Sequence, residues 1–473
     1  MTTQDQAQAT QAETPAVEGE FTAAQERALG TEPVAKLFGH YALTTLVGYL
    51  AQIIMVILEG LVIGQGLGAT GLACVSVVLP LELLNLALGG SLGAGTASLL
   101  GEYRGAGDEE SAQRVFSQGF WLTAYVVVAV SALIWINAPA VAELLGATGD
   151  LAGEVTEFVR ILMMLYPFCS LGQLLMACLR TDEKPHVASA ITVASSALSF
   201  LCLFTTVIVL KKSFASCALY FGLSTALWFS AILYVNGSRK SGLRVRLSGM
   251  KLSGEVAGTI LRRGIPLFGV QAASLVYTTV INNYLGSLGG DGDLAAFSVI
   301  NGYVIYLLDM ACLASTMGLA PIASYNAGAG HPKRLVSLMR VSMGGTVAVL
   351  AVVVAVVMAA AEPVSAFFLG ADAANAELLA LTVSHFLPIL VAAPLGFSAQ
   401  VASSYFQAVG REGVSTVLSV CRYLIFAVPL IVILSAPFGI EGVWWAQPVA
   451  DVLAAALSVF FCVREARQLR KQC

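Results

Sequence analysis

Ile53-Ile54-Met55-Val56-Ile57-Leu58-Glu59-Gly60-Leu61-Val62-Ile63-Gly64 is an apolar helix with one carboxylate in its middle. The run reaches back to about residue 36, so it is long enough to cross the hydrocarbon of a bilayer. Ionising a carboxylate there costs roughly 2.5–3.5 kcal/mol on insertion scales. A glutamate kept in such a place faces a wet cavity or a partner, and desolvation favours its protonated form. Glu59 is therefore a candidate for holding a proton and a cationic solute in turn. The plainer alternative is a glutamate snorkelling to a nearby interface, with Gly64 to Gly68 as the loop.

The surrounding composition agrees with a chain of many such runs. Of 473 residues, 57% are hydrophobic and 11% charged, and the mean hydropathy is +0.81. Soluble domains carry about 25% charged residues, so this is a polytopic membrane protein. Its net charge of −4 says little, because most charge must sit in loops and tails. No basic patch suggests nucleic acid. The nine cysteines are scattered without a C-x-x-C pair, which indicates neither a zinc site nor a disulfide framework; they read as small apolar packers. Of the histidines, only His385 lies well inside an apolar run, and a structural role is expected for it. Residues 1–30 are polar and lack a signal-peptide core of about 7–15 apolar residues. They are expected to form a disordered cytoplasmic tail.

A window of about 20 apolar residues gives twelve spans. They fall at 36–63, 70–100, 116–138, 152–179, 186–210, 214–235, 259–288, 293–322, 335–360, 376–407, 413–436 and 440–463. Lys and Arg mark the cytoplasmic loops. Arg104 and Arg114 follow span 2. Arg180 and Lys184 follow span 4. Seven basic residues from Arg239 to Arg263 separate spans 6 and 7. Lys333, Arg334 and Arg340 follow span 8, Arg411 follows span 10, and Arg464 to Lys471 end the chain. All lie on one side, with Lys211 and Lys212 as the exception. Both termini are thus expected in the cytoplasm, with the chain in the cell (plasma) inner membrane.

The long basic loop divides the chain into two sets of six spans: an N-lobe over 31–235, a loop over 236–258, a C-lobe over 259–463 and a basic tail over 464–473. The halves echo each other. Gly105-Ala106-Gly107 matches Gly328-Ala329-Gly330 about 223 residues later, and Pro167 and Gln173 match Pro394 and Gln400 about 227 residues later. Six spans per half make the repeats parallel, related by a pseudo-two-fold axis along the membrane normal. Such an all-α, two-lobe membrane protein places a solute path between its lobes. Carried back, the first offset sets Glu59 opposite Asn282.

Other polar groups lie in the spans. Glu82 and Asn85 share one face of span 2, and Gly89 continues it. Glu82 beside Pro80 is either a second cavity carboxylate or a residue in water at the outer mouth. In span 7, Gln271, Ser274 and Thr278 form a stripe that lines a cavity or bonds a neighbouring helix, and Asn282 is the better cavity candidate. In span 8, Tyr306 and Asp309 share a face; aromatics beside a carboxylate can hold an organic cation, whereas a tyrosine can also belong to an interfacial belt. Arg422 and Asp451 could pair and fix packing, a structural role. No nucleophile–base pair, H-E-x-x-H or phosphate-cradling loop is present, which argues against an ATP-driven pump and against an enzyme.

With these motifs in place, the chain resembles the multidrug and toxin extrusion (MATE) family, most closely its bacterial branch. Glu59-Gly60-Leu61-Val62-Ile63-Gly64-Gln65-Gly66-Leu67-Gly68 is similar to that branch's Asp-x-x-Phe-Ile-Gly-x-x-Leu-Gly. Pro321-Ile322-Ala323-Ser324-Tyr325-Asn326-Ala327-Gly328-Ala329 is similar to its Pro-Ile-x-x-Tyr-Asn-x-Gly-Ala. Leu29 to Leu37, Gly105 to Asp108, Tyr405 to Arg411 and Gly439 to Trp444 complete the match over about residues 29–463. The resemblance implies two six-helix lobes around a central cavity, and efflux of amphipathic, often cationic compounds against inward H⁺ or Na⁺. It carries the coupling role to Glu59. The family aspartate is a glutamate here. The family's paired Asn and Asp in span 5 correspond to Ser199 and Leu203, which weakens the case for Na⁺. The early proline of span 1 is absent near Leu43-Thr44-Thr45.

The expected protein is a monomeric secondary transporter without a cofactor, exporting small organic compounds by antiport, with H⁺ preferred. Glu59 couples the cation, and Glu82, Asn85, Asn282, Tyr306 and Asp309 are candidates for the cavity. One alternative is a lipid-linked saccharide flippase of the same superfamily, which would favour a large cavity rimmed by arginines; Arg160 and Arg422 are the embedded arginines here. Another is a membrane scaffold or receptor, which would leave Glu59 and Asp309 without a task.

Overall fold

Backbone N–H and C=O groups in hydrocarbon must be satisfied within the protein, and a helix satisfies them within its own segment. The computed structural model describes residues 27–147, 150–211, 234–235, 237, 242–369 and 376–471, and among these the chain is helical, without a strand. Among the described residues nine helices are long and apolar enough to cross a membrane, or ten when the bent pair Ala376–Leu390 and Ala393–Ala408 counts as one span. One of the nine, Glu412–Arg470, breaks at Gly439 and holds spans 11 and 12 together. Eleven expected spans are thereby accounted for. The sixth, expected over 214–235, lies almost wholly outside the described residues.

Several boundaries differ from the hydropathy reading. The loop considered for Gly64 to Gly68 is helix, and the chain turns at Gly68 itself, where φ is 65°. Span 4 runs on to Thr181, so Arg180 belongs to its last turn and not to a loop. Span 10 bends by 46° between Leu390 and Ala393, next to Pro394, whose ring cannot continue a helical ladder. Residues 1–26 of the expected tail lie outside the described residues, but Arg27 onward is packed. Leu29 is buried, its N–H donates to Glu183 Oε1 at 3.0 Å, and its carbonyl accepts from Asn326 Nδ2 at 2.9 Å. The last helix continues to Arg470.

The duplication is visible in the backbone. Gly68 and Gly290 share a left-handed conformation, with φ of 65° and 79°. Gly107 pairs in the same way with Gly330, Glu183 with Gly410, and Lys211 with Gly439. The separations are about 222 to 228 residues, the offsets already present in the sequence motifs. Left-handed backbone is cheap only for glycine, so its recurrence at matched turns marks one architecture built twice.

The packing is asymmetric along the membrane normal. One buried core gathers Ile63, Val78, Phe158, Leu162 and Leu203 from the half of the N-lobe away from the basic loops, and every described member of it lies in that lobe. Toward the basic end the lobes meet. A Cβ added at Gly105 would overlap the Tyr325 carbonyl, one at Gly328 the Glu102 carbonyl, and one at Gly95 the Ile260 carbonyl. Arg263 of span 7 pairs with Glu102 of span 2 and donates to Ser98 Oγ at 3.1 Å. Ser98 Oγ in turn donates to the Gln407 carbonyl at 3.0 Å. The inter-lobe loop is strapped to span 3: Arg244 N–H donates to Gln113 Oε1 at 2.9 Å, and Trp121 Nε1 donates to the Arg246 carbonyl at 3.1 Å. Among the described residues the lobes are therefore closed at the basic end, while the core at the other end of the N-lobe draws on that lobe alone.

Candidate functional site

Between the lobes, the sequence candidates fall into one chain of polar neighbours. Glu59 lies on the outer arm of span 1, about nine residues before the Gly68 break, and Glu82 follows Pro80 on span 2. Both are half-buried, and their carboxylates interact electrostatically. Tyr306 of span 8 stands within electrostatic range of Glu82 across the gap, of Asp309 on its own helix and of Tyr49 on span 1. The Gln400 side chain hydrogen-bonds the Asp309 carboxylate, and Arg422 lies within its range. Glu59, Glu82, Tyr306 and Asp309 thus converge, from two lobes.

Two candidates do not join them. Asn85 is used in packing: its Oδ1 accepts from Ser170 Oγ of span 4 at 2.5 Å. A Cβ at Gly89, one turn on, would approach the Ser170 Cα at 2.9 Å. The face carrying Asn85 and Gly89 therefore lies against span 4. Asn282 is half-buried on span 7, and its side chain bonds none of the described residues.

The embedded cations differ from one another. Arg422 Nε donates to Asp451 Oδ1 at 2.6 Å, its Nη1 donates to Tyr423 Oη at 3.0 Å, and its guanidinium sits 4.0 Å from the Phe397 ring centroid. Gln447 Nε2 completes the Asp451 shell at 2.8 Å. That is the expected buried pair. Arg160 lies 5.9 Å from the Trp135 ring on an exposed face. His385 stacks on Trp444 at 3.9 Å, inside the C-lobe, as a packing residue does.

Sequence reasoning missed Tyr49, Gln400 and Arg180. Tyr49 is grouped with the hydrophobic residues of its run, and in the sequence Gln400 stands out only as a repeat marker. Hydropathy places Arg180 in a loop, yet it lines a narrow inter-lobe cleft of about 30 Å³. This cleft lies on the pseudo-two-fold axis. Ala94, Ala97 and Ser98 of its wall match Met317, Ala320 and Pro321 at about 223 residues. Ala177, Arg180 and Thr181 match Ser404, Gln407 and Ala408 at about 227. Thr316, also on the wall, lies seven residues beyond Asp309 and so on the same face of span 8. Tyr49 is an electrostatic neighbour of both Asp309 and Arg180, which connects the acidic groups to the cleft.

Comparison with known proteins bears on the family and the fold. The MatE family profile matches residues 41–205 and 266–433. The multidrug export protein MepA of Staphylococcus aureus (strain NCTC 8325) is 22% identical over 442 residues, covering 92% of this chain and 95% of that protein. MepA of Staphylococcus haemolyticus (strain JCSC1435) is 20% identical over 427 residues, covering 90% and 93%. Among solved structures, a MOP superfamily transporter from Pyrococcus furiosus, described as having a binding pocket of reverse polarity, superposes with a TM-score of 0.87 at 20% identity, over 94% of this chain and 98% of that one. An outward-facing multidrug resistance MATE family transporter superposes with a TM-score of 0.86 at 20% identity, over 93% and 97%. The shared fold is twelve helices in two lobes. With its family profile matched over more than half its length, this chain belongs to the MatE family of membrane transporters.

Proposed function

We propose that this protein exports amphipathic, often cationic organic compounds from the cell by antiport with H⁺. One observation carries the proposal: Glu59 and Glu82 of the N-lobe interact with each other and, through Tyr306, reach Asp309 of the C-lobe. Two carboxylates in one dehydrated site repel when both are ionised, and either a proton or an organic cation relieves that repulsion. Proton and substrate therefore compete for the same groups, which is what antiport requires. Tyr306 offers an aromatic face to the cation. The relatives named for multidrug export support the substrate class.

The basic end is cytoplasmic by the positive-inside rule, in the cell membrane. Closure at that end corresponds to a state that releases substrate outward. One proton moving inward across 100 mV supplies about 2.3 kcal/mol, enough for modest accumulation of a solute. Span 5 presents Ser199 and Leu203 in place of further carboxylate or amide ligands, and this favours H⁺ over Na⁺, which needs several oxygens. Monomeric action is the default, because each chain carries both lobes.

The test is uptake of a fluorescent cationic dye into proteoliposomes under an imposed pH gradient, with wild type beside Glu59→Gln and Glu82→Gln. Gradient-driven uptake is expected in wild type, and Glu59→Gln should abolish it. Equal rates and equal pH dependence in wild type and Glu59→Gln would remove Glu59 from coupling. Uptake driven by a Na⁺ gradient instead would overturn the choice of ion.

A further inference from the structure

Burying an arginine costs several kcal/mol unless its charge and its N–H groups are met. The other deeply buried arginines have their charge met, although the Nε of Arg104 and of Arg263 is also without a hydrogen-bond partner. Arg104 pairs with Asp182 at 2.6 Å, Arg263 with Glu102, and Arg422 with Asp451 at 2.6 Å. Arg180 does not. It is 8% exposed, and among the described residues no carboxylate, carbonyl or hydroxyl accepts from its guanidinium; its Nε is buried without a partner. Its place in the last turn of span 4 lets the helix dipole offset part of the cost.

The rest of the cleft's polar wall is already engaged. Thr181 Oγ1 donates to the Ala177 carbonyl at 3.3 Å, Thr316 Oγ1 to the Leu313 carbonyl at 2.9 Å, and Ser404 Oγ to the Thr316 carbonyl at 3.2 Å. Gln407 Nε2 donates to the Arg263 carbonyl, and Ser98 Oγ to the Gln407 carbonyl. Arg180 alone brings unused donors and an unbalanced charge to this wall. Its planar fork matches the oxygens of a carboxylate or phosphate.

We infer that Arg180 binds an oxyanion in the inter-lobe cleft: the carboxylate or phosphate of a transported solute, or the phosphate of a bilayer lipid. The binding stands on the cleft's geometry; assigning a solute to it rests on the efflux reading. Solutes with a cationic end and an anionic end then suit the path better than simple cations. Their cation reaches Asp309 and Glu82, and their oxyanion reaches Arg180, with Tyr49 between.

The experiment uses the full-length protein purified in neutral detergent. Its probes are rhodamine 110, which has a free carboxylate, and its methyl ester rhodamine 123, read by fluorescence polarisation. The acid should bind about ten-fold more tightly than the ester, as expected for one charge-assisted hydrogen-bonding pair. Arg180→Gln, which copies the matched residue Gln407, should remove that preference, and Arg180→Lys should keep most of it. Both variants are first checked for monodisperse elution. No preference in wild type, or the same preference in a monodisperse Arg180→Gln, overturns the inference. Added phosphatidylglycerol identifies the source: competition that Arg180→Gln abolishes assigns the site to lipid phosphate, and its absence beside a retained acid preference assigns it to the solute. Proton-driven uptake of the ester is measured separately, so failure of the antiport and failure of the Arg180 site are read independently.

Discussion

Glu183 and Gly410 make the same left-handed turn, with φ of 59° and 76°, about 227 residues apart. The first closes span 4, and the second closes span 10. Glycine adopts this conformation freely; glutamate pays about 1–2 kcal/mol. Glu183 is retained with a compensating bond, because its Oε1 accepts from the Leu29 N–H and so ties the N-terminal segment to the N-lobe. Glu183→Gly and Glu183→Ala both lose that bond, but only the alanine keeps the strain. Glu183→Gly should therefore be the more stable of the two by about 1 kcal/mol, measured as thermal unfolding in detergent. Equal stabilities would mean the turn relaxes.

Arg422 and Asp451 are 5% and 0% exposed. Removing one partner leaves a buried charge, so Asp451→Ala should cost about 3–5 kcal/mol. The double variant Arg422→Met/Asp451→Leu removes both charges and should cost less than the sum of its singles. Additive losses in unfolding midpoints would show that the two act independently.

Arg263 holds the basic end shut through Glu102 and Ser98 of the N-lobe, with Glu412 of its own lobe beside it. Losing charge-assisted hydrogen bonds of this type should move the closed-to-open equilibrium roughly ten-fold or more. Spin labels replacing the exposed Arg114 and Arg340, read by electron–electron double resonance, should gain a longer distance in Arg263→Ala. An unchanged distribution would locate the closure elsewhere, first of all at the reciprocal contacts of Gly105 and Gly328.

Asp108 caps the first turn of span 3, its Oδ1 accepting from the Ser111 N–H at 2.9 Å. The Ser111 hydrogen bonds hold its carboxyl below the ordinary aspartate value. A depressed folded-state value means that its stabilisation is complete above the unfolded-state pKa of about 3.9 and is lost as pH falls through the folded value. Asp108→Ala should thus unfold at a lower temperature than wild type at pH 7, with the gap closing under strong acid. A gap independent of pH would mean that the cap acts without its charge.

Hydropathy found the spans because bilayer hydrocarbon sorts residues by one property over long windows. The repeat offset places Glu59 opposite Asn282, and the turns at Gly68 and Gly290, 222 residues apart, agree with that register to within one residue. Connections were harder. A charged residue ends a hydropathy window, so the sequence pattern places Arg180 in a loop although its helix extends through it. Glycine density could not tell a loop at Gly64 to Gly68 from one continuous helix broken at a single φ. The site was half legible. Glu59, Glu82, Tyr306 and Asp309 stand out as polar groups in apolar runs. Tyr49 and Gln400 become visible only when other helices are packed beside them, and Asn85 turned out to serve a neighbouring helix.

A cleft on a pseudo-two-fold axis has a consequence for whatever lies in it. To a wall that repeats after half a turn, a guest and its rotated copy look alike, so the backbone frame admits two opposite poses. Only the unmatched side chains tell them apart: Arg180 facing Gln407, and Glu59 matched to Asn282. Evolution doubled the frame but left the two faces to diverge, and the head-to-tail sense of a bound molecule is written in those few differences.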